Sequence, residues 1–551
     1  MRPWAAAALL AACSTPPSAA PAPAGPLAAA ESLYLDLRDL RDRIDVAGSA
    51  GRTITSDGAP IATLFGKHDS LRRAVIARLG TVDSASLGAD DARALGLMRA
   101  TLTRDLTPLA GTPPATSSPQ RPDCRYDPAA IATARNGLDS LRRRMYACYA
   151  WAQHHVSVDG DTMDRLSVLG ALGRTDDAAR RQRLFLALDP VWRSVNGDNA
   201  TDSPYRLLIA LEARRRSSGE SASARRARLA GVPPDSLERW LLAILETWRD
   251  AQADSLVEPW DWYYQNGRAA RVLGPRISRE RLTRLNTEVY RALGADLAAL
   301  NVRYDLDPRD GKTPVAFCTF GARPRLRNGR WTPGEPSVFA TYHGGGLDNL
   351  AELLHETGHA VHIAAIRTRP AYADWPDSDP FTEAIADFVA LDVSEPVWQR
   401  RWLGDSVPLA DGLRGRYGGV VLDVAWSLLE LEMLRNPAAD PNHVWTRLTS
   451  DYLRIRPHPE LSWWAMRGQL VDAPGYMMNY AVGAILIAAL RAKTVEDHRP
   501  FVTGDRDWYG WVSRRIFRFG QERPTREVVQ EFLDGSVTPA ALLADMRRMK
   551  H

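Results

Sequence analysis

Residues 347–359 read Leu-Asp-Asn-Leu-Ala-Glu-Leu-Leu-His-Glu-Thr-Gly-His. Leu347, Leu350, Leu353 and Leu354 recur at helical spacing, which predicts a helix with one apolar face. A face of this kind packs into a core and carries His355, Glu356 and His359 with it. Buried polar side chains need partners. The two histidines are four residues apart, so they stand one turn apart on one side of the helix. Their imidazoles can converge on a single metal ion, with Glu356 beside them as a general base. A solvated helix face with two unconnected histidines is the competing reading, and the leucines weigh against it.

A tetrahedral catalytic zinc takes three protein ligands and keeps a fourth position open. His362 follows in the same helix. The zinc proteases that use three histidines require Gly at position 362 and His at 365, and this chain has His362 and Ala365. His362 is therefore expected to be a packed or hydrogen-bonded core residue. The third ligand is expected from Phe381-Thr382-Glu383-Ala384-Ile385-Ala386-Asp387, where Glu383 and Asp387 are four apart on one helix face. Glu383 can bind the metal. Asp387 can accept the spare N–H of a ligand histidine and fix its tautomer. Asp379 suits the cap of this helix and Pro380 its first position. One Zn2+ per chain is the expected cofactor.

The rest of the chain points to a mainly helical fold. Apolar residues recur at intervals of three and four in Leu33–Ile44, Leu71–Leu79, Ile131–Ala150 and Leu237–Ala251. Thr107–Pro122 and Ser217–Ser223 break the pattern. Thr313–Phe320 and Ser337–Tyr342 are the best strands, a small sheet beside the motif. Ala481–Leu490 is strongly apolar but too short to span a bilayer, so it is expected as a buried helix. Lys+Arg is 70 against Asp+Glu 66. The runs Arg142–Arg144 and Arg214–Arg216 lie among acidic residues and read as solvated helix faces, so no nucleic-acid partner is expected.

The N-terminus predicts export. Arg2 precedes the short apolar stretch Trp4–Ala12, a secretory signal rather than a membrane span. Leu10-Ala11-Ala12-Cys13 resembles a bacterial lipobox, which implies lipidation of Cys13 after removal of residues 1–12. Residues 13–30 then form a flexible tether, and residues 31–551 the folded domain, with its active-site half at about 259–490. The implied location is the bacterial cell envelope, periplasm or cell surface, with membrane contact through the lipid anchor only. Cys124 and Cys148 are the preferred disulfide pair, permitted by an oxidising compartment. Free thiols at Cys124, Cys148 and Cys318 are the alternative.

His355-Glu356-Thr357-Gly358-His359 and Phe381–Leu391, with Glu383 lying 24 residues after His359, resemble the zinc oligopeptidase superfamily. This comprises the angiotensin-converting-enzyme family and the thimet-type oligopeptidases, a class with a His-Glu-x-x-His helix and a downstream Glu ligand. Pro259-Trp260-Asp261-Trp262-Tyr263-Tyr264 looks more like the thimet type. The resemblance implies a two-lobed helical metallopeptidase with a deep central channel. It also implies a tyrosine hydroxyl that stabilises the oxyanion and a polar cluster that holds the C-terminal carboxylate of a peptide. Arg467 falls on the family's Lys and Gln469 on its His. Tyr476 falls on the first of two tyrosines, and Asn479 on the second. Tyr480 takes the second position after a shift of one residue. Tyr480 is the preferred oxyanion donor, with Tyr476 as the other candidate. Thr319, after Cys318, stands where the converting enzymes have His.

The implied activity is zinc-dependent hydrolysis of oligopeptides by a chain expected to be monomeric, with Glu356 moving the proton. Release of C-terminal dipeptides and internal cleavage of the thimet type both remain open. A non-catalytic envelope lipoprotein with a peptidase fold is the reading from another class.

Overall fold

The computed structural model describes residues 26–55, 58–109, 121–215, 221–309, 312, 315–327 and 330–550. Cys13 and the leader lie outside the described residues. The architecture is mainly helical, as the periodicity predicts, with three small sheets among the described residues where one was expected. The apolar spacing around the motif gives the helix Leu347–Ala365, in which Leu347, Leu350, Leu353 and Leu354 are all buried. Gly346 precedes this helix at φ 113°, a backbone conformation that favours glycine. One side of the motif helix lies on a three-stranded sheet. The central strand, Pro336–Phe339, runs parallel to Arg303–Asp305 and antiparallel to Phe317–Phe320, with Cys318 opposite Val338. Both expected strands form here, each shorter than its apolar run.

The motif helix also packs against Asp379–Ala390, the helix that carries Glu383. Gly358 makes their approach possible. A Cβ at position 358 would stand 2.3 Å from the carbonyl oxygen of Ala386, so any side chain there would push the two helices apart. Asp379 is the first residue of the second helix rather than its cap. The capping position belongs to Ser378, which makes no side-chain capping bond. Pro380 sits in the first turn, where its missing N–H costs nothing.

Two further helices complete the surroundings, Leu409–Arg435 and Met478–Asp497. The second is long and apolar enough to cross a membrane, yet it is mostly buried within the protein, in keeping with the expected core helix. The stretch Ile131–Ala150 is not one helix. It divides into Pro128–Thr133 and Gly137–Gln153, because the chain turns at Ala134–Asn136 and a Cβ at Gly137 would strike the Ile131 carbonyl. The first helix, Ala28–Ser49, takes in Ala28–Ala30 from the expected tether, since Leu27 and Ala30 are buried. The N-terminal helices have small cores of their own. Ion pairs tie them to the body: Arg369 to Glu31 and Asp91, and Arg323 to Asp39 and Asp42.

Cys124 and Cys148 are joined by a disulfide, with Cα atoms 5.8 Å apart, and Cys318 is free. The bridge closes a loop with a sequence separation of 24. Cross-linking a loop of this length restricts the unfolded chain by about 3 kcal/mol. A Cys124→Ser/Cys148→Ser protein is expected to melt lower than the parent in the absence of reductant. The same melting temperature for both would show that the bridge does not stabilise the fold.

Candidate metal centre

Helix spacing places His355 and His359 on one face, and their rings meet edge to face with centroids 4.9 Å apart. Glu383 enters from the neighbouring helix. One ligand atom from each of His355, His359 and Glu383 falls within 4.8 Å of the others. His355 Nδ1 lies 2.7 Å from Asp387 Oδ1 and Nε2 lies 3.6 Å from Glu383 Oε2, so with its one proton on Nδ1 the neutral ring would turn the Nε2 lone pair towards Glu383 and a bound metal. Nδ1 of His359 is buried and has no hydrogen-bond partner among the described residues. Two imidazoles and a carboxylate converging in this way, one of them with an orphaned nitrogen, fit a divalent metal ion. His355, His359 and Glu383 are the residues that could hold it, and Asp387 orients His355.

Electrostatics separates the roles. Burial works against a charged His355, but the carboxylates of Asp387 and Glu383 outweigh it and raise its pKa well above the ordinary value. Burial, with His355 and His362 nearby, holds His359 well below, in the neutral form that ligates. Glu356 is buried and is not one of the converging ligands. Burial, reinforced by Glu352, Glu383 and Asp387 and opposed by His355, pushes its pKa up to about 8. A carboxyl poised there can both take and return a proton near neutral pH. His362 is fully buried among Trp375, Phe381 and Phe517. Neither of its nitrogens has a hydrogen-bond partner among the described residues, and burial lowers its pKa to about 3. It is a packed core residue, as expected, without the hydrogen bond.

Tyr476, Tyr480, Gln469 and Arg467 also gather near Glu383. Tyr476 and Tyr480 have ring centroids 5.8 Å apart, although the helix begins only at Met478 and Tyr476 lies in the preceding turn. Burial raises the pKa of both hydroxyls, and the Glu383 charge raises them further. Gln469 Nε2 donates to the Tyr480 hydroxyl at 3.3 Å. Arg467 lies 5.9 Å from the Tyr480 ring, but its guanidinium pairs with Asp423 at 2.6 Å and stacks over Trp426. Its charge is therefore already engaged. His458 pairs with Glu258 and Glu460, a local ion-pair role. Trp262 and Tyr263 line a cavity of about 550 Å³ beside His355 and Asp387. A neighbouring cavity of about 960 Å³ shares Arg174, Asp348 and Glu352 with it.

An oxyanion donor acts mainly in the transition state. Tyr480→Phe is therefore expected to lower kcat by about 10²-fold with little change in KM. Tyr476→Phe is expected chiefly to raise KM. Kinetics of the two variants on one fluorogenic peptide decide between them, and a fall in kcat confined to Tyr476→Phe would transfer the role to that residue.

Two supporting residues escape the sequence reading. Glu430 accepts the backbone N–H groups of Gly475 and Met477 at 2.6 and 3.0 Å, fixing the turn that presents Tyr476. An acid inside Leu428-Leu429-Glu430-Leu431 is the signal that could have found it. Trp375 stands against His359, with ring centroids 5.5 Å apart, and nothing local in the sequence marks it.

No family profile matches the chain, and no curated protein does. Solved structures match along almost its full length. The M32 carboxypeptidase from Deinococcus radiodurans R1 is 15% identical with a TM-score of 0.56, over 95% of this chain and 98% of that one. The protein named CHT is 14% identical with a TM-score of 0.55, over 96% and 99%. The chain shares the overall architecture of these two proteins. At this identity the likeness concerns architecture, and the reading of the chemistry rests on the residues above.

Proposed function

We propose that the protein is a zinc-dependent peptidase acting on oligopeptides. The observation that carries this reading is the convergence of His355, His359 and Glu383 with the proton-transferring carboxyl of Glu356 beside them. Zinc held by those three residues would polarise a peptide carbonyl and acidify a water. Glu356 takes a proton from the attacking water and returns it to the leaving amine. The Tyr480 hydroxyl donates a hydrogen bond to the carbonyl oxygen as negative charge develops on it. Asp387 keeps His355 in the tautomer that ligates.

Within this reading we favour cleavage near the C-terminus of the peptide. Support comes from a fold shared with a protein named a carboxypeptidase, and from Gln469, Tyr476 and Tyr480 gathered near the ligand Glu383. Release of dipeptides and of single residues are both compatible with it. Internal cleavage of the thimet type is the second reading, favoured by Trp262 and Tyr263 in the cavity wall. The lipid anchor at Cys13 and the envelope location remain part of the proposal. The test is a digest of matched peptides with free and amidated C-termini by zinc-loaded protein, read by mass spectrometry. Products from free-ended peptides alone support C-terminal trimming. Equal cleavage of both supports the internal cut. No chelator-sensitive product from either overturns the peptidase reading.

A further inference from the structure

A separate cavity of about 820 Å³ opens between the N-terminal helices, the helix Ala222–Leu229 and the loop Trp375–Asp379. Among the described residues, seven arginines and four aspartates line it. Arg38–Asp374, Arg104–Asp105, Arg215–Glu212 and Arg523–Glu531 cancel in pairs. Arg93 donates to the backbone carbonyls of Gln521 and Glu522, which leaves its charge in place. Arg225 is exposed at the same wall. Asp377 and Asp379 are the other acids of the wall, so arginines outnumber the acids that line it.

This cavity reaches the surroundings of the candidate centre. Trp375 is in its wall and against His359. Asp379 is in its wall and opens the helix that carries Glu383. Arg226 lies 5.5 Å over the Tyr476 ring and is fixed there by donating to the Gly475 carbonyl at 3.2 Å. The cavities on the His355 side have the opposite balance, with six carboxylates against three arginines. A chain laid across the centre therefore passes from a wall rich in carboxylates to one rich in arginines. Guanidinium groups bind carboxylates through charge-assisted, often bidentate hydrogen bonds.

We propose that the arginine-lined cavity receives a peptide segment bearing Asp or Glu side chains, so that the preferred substrates are acidic oligopeptides. The inference rests on the peptidase reading, and the test separates the two. The protein used is zinc-loaded Glu356→Gln, which binds without turnover. The probes are two labelled peptides of equal length with free C-termini, one with Glu and the other with Gln at the terminal positions.

The Glu peptide is expected to bind at least about tenfold more tightly at low salt. The advantage should shrink as the screening length falls from about 30 Å at 0.01 M to about 8 Å at 0.15 M salt. Arg225→Gln, an exposed change, should remove part of the advantage, and Arg225→Gln/Arg226→Gln most of it. Metal content and melting temperature matching the parent verify that each variant is folded. Equal affinity for the two peptides, or an advantage that survives the double substitution, overturns the proposal. Preferential binding by a protein whose wild type hydrolyses no peptide would retain the cavity and sink the peptidase reading. Equal kcat/KM for acidic and neutral peptides would do the reverse.

Discussion

Glu356→Gln is expected to keep its metal and to lose turnover by about 10²–10⁴-fold or more. The three converging ligands do not include Glu356, so the substitution leaves the donor set intact. Glutamine has the same shape and the same number of polar terminal atoms, but its amide cannot take a proton from water. Oε2 of Glu356 is buried without a partner among the described residues. Burial is also the main cause that pushes its pKa up to about 8. Below that value the carboxyl is itself neutral, so an amide of the same shape adds no buried charge and the variant is expected to melt no lower than the parent. Elemental analysis of metal per chain, kcat on a fluorogenic peptide and a melting curve make the three measurements. Turnover near the wild-type rate would remove Glu356 from the mechanism. A loss of metal together with activity would make it a ligand rather than a base.

The parts of the centre that depend on helix periodicity were legible in the sequence. His355, Glu356 and His359 sit in one apolar-faced helix, and Glu383 and Asp387 in the next, so each pair's relative direction follows from spacing alone. The same holds for the small sheet, although its ends follow the pairing partners and not the apolar runs. Features set by tertiary approach were hidden. Gly358 reads as a neutral residue in a motif until Ala386 is brought against it. Arg467 reads as an open carboxylate anchor until Asp423, on the long helix Leu409–Arg435, takes its charge. Trp375 and the arginines of the third cavity come from segments far apart in the chain, so no local pattern announces them. The break after Thr133 is hidden because Ile131, Ala134, Leu138 and Leu141 keep intervals of three and four across the turn.

Metal binding itself supplies the second large effect. Glu383→Ala is expected to abolish stoichiometric zinc binding, because two histidines alone leave half of a tetrahedral site unfilled. Asp387→Asn is expected to weaken binding by a milder ~10–100-fold, the usual cost of altering a partner that orients a ligand. The asymmetry follows from geometry. Glu383 Oε2 faces His355 Nε2 at 3.6 Å, on the side where the ligand atoms converge, whereas Asp387 holds Nδ1 at 2.7 Å on the far side of the ring. An asparagine oxygen can still accept that N–H and preserve the tautomer. What it loses is the negative charge that makes the imidazole a stronger donor. Zinc titration of chelator-stripped protein separates the two cases, read as the rise in melting temperature. A ligand at a hundred times its Kd stabilises the folded state by about 2.7 kcal/mol. The parent should show such a rise, Asp387→Asn should show it at higher zinc, and Glu383→Ala should show none. A full rise in Glu383→Ala would place the third ligand elsewhere. Glu352 would then be the residue to substitute next, since its carboxylate already interacts with His355 from the same helix.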